Sequence, residues 1–248
     1  MDETSLTGST GGISPAGRGP GLARRLYREE REAWRGNYRR YFKYAARALG
    51  LGFVAGFLYF MVWPAQEKKA LDFVVQSLKD IRLEASPFIL ALTLFYHNAR
   101  ASVIAVAAGA VPFLFLPILD PILNGGVLGL LVSMAKHQRL DVPRLVVTQI
   151  LPHGIFELTA VLYATTVGLY LSAAMGRKAR AGWRKKRARP DAPPPAPPPR
   201  FLETYPERTA AALVESPARN VVRSFVLVVL PLLLVAAFIE GFITPLLR

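Results

Sequence analysis

Apolar residues gather in long stretches at roughly 45–63, 88–135, 150–175 and 221–247, and polar segments between them carry most of the charge. A bilayer core is crossed by about 20 helical residues. Three of the stretches suit one crossing each. The stretch 88–135 is far too long for one, and it divides near Pro112 into spans of 88–110 and 113–135. The pattern predicts an all-α fold: a polytopic α-helical membrane protein with about five transmembrane helices plus amphipathic interfacial helices.

The polar segments differ in kind. Residues 1–20 are Gly/Ser/Thr-rich and read as a disordered N-terminus. Residues 21–44 place Tyr27, Trp34, Tyr38 and Tyr41 near one helical face with arginines around them, the pattern of a basic amphipathic helix lying at the headgroups. In the loop 64–87, Leu71, Val74, Val75 and Leu78 recur at i, i+3, i+4 and i+7, predicting an amphipathic helix outside the bilayer that Ser86-Pro87 ends. Residues 136–148 read as a short polar loop in which His137 needs no explanation. Residues 176–220 combine a basic run with a Pro-rich tract that should be extended. Transmembrane helices 1–4 thus occupy 45–175 and the fifth 221–248.

Charge adds orientation. The chain carries a net charge of +14 with 52% hydrophobic residues. The excess cations lie in 18–47 and 177–223, flanking the apolar stretches rather than mixed among them. Positive-inside topology explains this more economically than nucleic-acid binding. Four spans separate the two basic segments, an even number, so both fall on one side. That predicts a multi-pass protein of the cell membrane with a cytoplasmic N-terminus, loops 64–87 and 136–149 outside, and an extracytoplasmic C-terminus. The sequence contains no cysteine, which leaves disulfides and thiolate metal sites out of consideration. A cleavable signal peptide is not expected, because the first apolar run starts only near residue 45, behind arginines.

The chemistry of interest is polar and lies inside the apolar stretches. An ionisable side chain at the bilayer centre costs roughly 2.5–3.5 kcal/mol on insertion scales, so such groups call for a reason. His153 and Glu157 stand one turn apart in "ILPHGIFELTAV", and Glu240 lies in "AAFIEGFITP". His97, Asn98 and Arg100 sit in the second span, and Asn124 in the third. With the topology above, these residues approach a common polar site, His153, Glu157 and Glu240 in its outer half. Ala160, Ala164 and Gly168 continue the His153/Glu157 face as small residues suited to close helix approach, and Gly52-x-x-x-Gly56 and Gly125-x-x-x-Gly129 are further packing candidates. Pro112, Pro117 and Pro121 leave room for broken or re-entrant helices. The bland alternative is that these polar groups are structural glue between helices.

The segment "LPHGIFELTAV", together with "AAFIEGFITP", "FYHNAR" and "ILNGGVLG", resembles the stage II sporulation protein M family over most of residues 45–175 and 221–245. The resemblance implies an integral membrane protein that works with partner cell-wall hydrolases in septal peptidoglycan degradation. It puts Asn98, Asn124, His153, Glu157 and Glu240 in recurrent motifs without implying catalysis.

Three functions follow. The first is a non-enzymatic scaffold or anchor in a membrane complex, with the lipid bilayer, membrane or extracytoplasmic proteins such as cell-wall hydrolases, and a second copy of itself as candidate partners. The second is a transporter or permease component using the polar site. The third is an intramembrane zinc enzyme holding metal through His153, Glu157, Glu240 and His97, for which no H-E-x-x-H pattern exists. No cofactor is expected, and no nucleic acid.

Overall fold

A computed structural model describes residues 21–77, 86–187 and 217–247. The N-terminus 1–20, the tail of the amphipathic 64–87 segment and the Pro-rich tract lie outside the described residues. Those described form helices: α1 Leu22–Val62, α2 Glu67–Ser77, α3 Pro87–Ala108, α4 Leu116–His137, α5 Val142–Trp183 and α6 Pro217–Leu246. All but α2 are long and apolar enough to cross a membrane. They alternate in direction, so one end of the bundle gathers the basic starts of α1 and α6 and the basic tail of α5.

α5 is the central element. Every residue from Ala160 to Ala174 is buried, which is the fate of a helix apolar all round. Two of its hydroxyls find carbonyls: Thr166 Oγ1 donates to Leu162 one turn back at 2.7 Å, and Ser172 Oγ to Val111 in the α3–α4 turn at 3.1 Å. α3 and α6 pack on α5 and on each other. α3 runs parallel to it, since Asn98 meets Glu157 and Gly109 meets Gly168 at the same offset of 59 residues.

α1 and α4 form the second unit, also parallel. Gly52 faces Ile122 and Gly56 faces Gly126, with the offset of 70 residues that also joins Glu67 to His137. A Cβ on Gly52 would fall onto the Ile122 carbonyl, and one on Gly129 would stand 2.5 Å from the Phe53 oxygen. The small-xxx-small pairs 52/56 and 125/129 therefore let two backbones touch, which is how helices gain dispersion where lipid removes the hydrophobic drive. The two units meet at the basic end, where Gly168 accepts Pro117 and Gly109, while α3 makes little contact with α1 or α4 beyond the Leu116–Ile118 turn. Farther from that end the units diverge.

Three expectations change. The break near Pro112 is a turn rather than a re-entrant helix, with Phe113 and Phe115 in the left-handed region. The loop expected at 136–148 shrinks to 138–141, because Asp141 caps a new helix by accepting the Arg144 amide at 3.1 Å. Of the aromatics expected at the headgroups, Tyr27 stays exposed and the other three turn inward. Tyr38 and Tyr41 are buried, and Trp34 stacks on Tyr163 at 5.7 Å between centroids. The stripe Glu30, Ala33, Asn37, Tyr41, Ala45, Ala48 and Gly52 recurs at helical spacing, so α1 needs its inner face for protein.

Candidate functional site

Where the two helix units diverge, a cavity of about 680 Å³ remains, within the range of roughly 300–1,000 Å³ usual for small-molecule sites. Its walls differ. On the α3–α5–α6 side stand His97, Asn98, His153, Glu157 and Glu240, and on the α1–α4 side Phe60, Leu123, Val127 and Leu130, with Asn124 the one polar side chain. α2 lies across it through Ala70, Phe73 and Val74.

His153 Nδ1 stands 2.7 Å from Glu240 Oε2, and Asn98 Nδ2 donates to Glu157 Oε1 at 3.1 Å. Glu240 belongs to a π-helical turn, Ile239–Ile243, a local widening that recurs at functional sites. The next residue, Gly241, allows this: a Cβ there would meet the Pro87 carbonyl at 2.7 Å, so only glycine lets α6 approach α3 closely enough to present Glu240 to α5. α5 begins at Val142, so Glu157 lies about 22 Å along the helix rather than in its first turns. Its partner Asn98 is midway along α3.

Of the remaining site candidates, Asn124 lines the cavity while its amide donates to the Asp120 carbonyl at 3.0 Å and side chain at 3.2 Å. Arg100 is exposed and does not line the cavity. Ala160, Ala164 and Gly168 are buried, as is every residue of α5 from 160 to 174. Among the described residues no three His, Asp or Glu side chains are placed to hold a metal ion.

Two clusters escaped sequence reasoning. Glu67 accepts Ser133 Oγ at 2.8 Å and meets His137 Nδ1 at 2.9 Å, so His137 is a tertiary contact tying α2 to α4. The second joins α1, α5 and α6. Buried Glu30 receives Arg223 Nε at 2.8 Å and Ser224 Oγ at 2.8 and 3.0 Å, and Tyr163 OH donates to it at 2.6 Å. Beside it Glu29 takes Arg25, Arg219 and Arg223. Burial raises the Glu29 carboxyl, but the Arg25 hydrogen bond and the charges of Arg219 and Arg223 outweigh it and hold the group below its ordinary value. The available signal was an acid pair inside an arginine run.

These features define a polytopic α-helical membrane protein with a polar site inside its bundle. Residues 45–245 match the family model described as Stage II sporulation protein M. The chain belongs to the stage II sporulation protein M family. No curated protein and no solved structure matches it.

Proposed function

We propose that this protein is an integral membrane scaffold that holds extracytoplasmic partners, cell-wall hydrolases among them, at the end of the bundle carrying α2. The basic end then lies in the cytoplasm, as positive-inside charge favours. The observation carrying this reading is α2 itself. Glu67 anchors its start to α4, while Phe73 and Val75 are 73% and 55% exposed on a short helix. Apolar side chains presented on a fixed element at the membrane edge suit protein docking. Family membership supports the same reading. The test is affinity capture from native membranes, comparing wild type with a Phe73→Asp/Val75→Asp variant. Hydrolases should accompany the wild type and be depleted from the variant. Equal recovery from both, or none from either, removes the reading.

A second reading, a transporter or permease component, draws on the depth of the Asn98–Glu157 pair, since mid-membrane polar groups in a cavity are what a substrate site requires. Under it Glu157→Gln abolishes transport while the complex still assembles.

A further inference from the structure

We infer that the cavity between the two helix units binds an amphiphile whose polar end is a primary ammonium, with Glu157, Glu240 and Asn98 taking the head and Phe60, Leu123 and Val127 the apolar body. This deepens the transport reading by naming the class of molecule its site would hold.

The argument starts from the asymmetry of the walls. A small polar solute would leave the Phe60, Leu123, Val127 and Leu130 wall unfilled, and a plain hydrocarbon would strip water from carboxylates without replacing it, at a cost of several kcal/mol for each charged group. Only a molecule with one polar end and one apolar end satisfies both walls. The sign of the polar end follows from the side chains. Among the described residues two carboxylates line the cavity and no lysine or arginine does, Arg100 being exposed elsewhere. His153 Nδ1 already meets Glu240 Oε2 at 2.7 Å, so the carboxylate an ammonium chiefly answers is Glu157, which the neutral Asn98 amide holds without offsetting its charge. The three N–H donors of an ammonium match a wall rich in acceptors: the Glu157 and Glu240 oxygens and the Asn98 carbonyl. Anionic heads are disfavoured by the same carboxylates.

The same chemistry is carried by a free long-chain amine and by the headgroup of an aminophospholipid, and the experiment separates them. The full chain is purified in dodecyl maltoside and titrated with dodecylamine or dodecanol under native mass spectrometry, after delipidation and before it. Dodecylamine should bind at least tenfold more tightly than dodecanol. Glu157→Gln should lower its affinity at least tenfold, and Leu123→Trp, which fills the apolar wall from an exposed position, should do the same. Glu157→Asp, which keeps the charge, should retain most of it. An aminophospholipid that stays on the wild type and leaves the Glu157→Gln variant identifies the lipid as source, and amine binding only after delipidation agrees with it. Amine binding with no retained lipid identifies the free amine. Equal binding of amine and alcohol overturns the inference. So does amine binding that survives both Glu157→Gln and Leu123→Trp. If Glu157→Gln unfolds, Leu123→Trp and Glu157→Asp decide alone. The assay involves no translocation, so an amine that is bound but never moved removes the transport reading and leaves the site standing.

Discussion

Arg223 Nε and Glu30 Oε2 meet at 2.8 Å with both side chains almost wholly withdrawn from solvent, and this contact ties the first helix to the last across 193 residues of chain. Breaking such a pair by removing one partner leaves a buried charge uncompensated, which costs about 3–5 kcal/mol. Arg223→Met and Glu30→Gln should each lower the thermal midpoint in detergent clearly. Tyr163→Phe, which removes one bond to the same carboxylate, should cost about 1.5–3 kcal/mol. Melting unchanged from wild type in Arg223→Met would sink this account of the network.

The glycine seam of α1 and α4 gives a prediction with an internal control. Gly52→Ala drives a methyl onto the Ile122 carbonyl, and overpacking of this kind costs about 1–3 kcal/mol. Gly50→Ala, two residues away with nothing within 4 Å, should instead stabilise the helix by about 0.5–1 kcal/mol. Thermal unfolding of both variants in one detergent checks the sign of each. Matching shifts would mean that the backbones do not touch at Gly52.

Glu29 makes the docking of the α1 start depend on pH. Its carboxyl titrates below the ordinary 4.5 in the folded protein, so its contribution is present above that value and is lost as pH falls through the folded one. Protection of residues 22–33 against hydrogen exchange, referred to the intrinsic rate at each pH, should therefore fall on acidification below about pH 4.5, and Glu29→Gln should flatten that dependence. The same pH profile in wild type and variant would rule Glu29 out as its source.

α2 should be separable from the bundle. Glu67→Gln keeps the shape but removes the charge facing His137, and His137→Ala removes the partner itself. Both should expose residues 67–77 to faster exchange while melting of the apolar spans barely moves. A global loss of stability in either would contradict a purely local anchor.

Orientation can be read directly because the chain has no cysteine of its own. Gln138→Cys should react with a membrane-impermeant maleimide in intact cells. Arg180→Cys should react only after permeabilisation, as positive-inside topology requires. The reverse pattern would invert the topology.

Legibility in the sequence followed the range of the physics. Glu157, His153 and Glu240 stood out because each is an ionisable group within a run long enough to span a bilayer, a local fact. The Gly52/Gly56 and Gly125/Gly129 repeats were visible, but not that they face one another. Helix starts were misread where a cap decides them: Asp141 initiates α5 through one side-chain acceptor, which hydropathy does not register. Tyr38 and Tyr41 looked like lipid anchors because an aromatic stripe on a basic helix suits a membrane surface and a protein surface equally.

By itself the sequence determined the number of apolar helices, the clustering of cations around them and the residue types set within them, since these depend on segment length and composition against the bilayer. The tertiary structure decided the partners. Which carboxylate meets Arg223, that Asn98 rather than a cation holds Glu157, and that a polar wall faces an apolar one all depend on the rotation and height of helices that glycine contacts bring together. The side-chain pairs Asn98–Glu157, Glu67–His137 and Glu30–Arg223 join residues 59, 70 and 193 positions apart, beyond the reach of any local pattern.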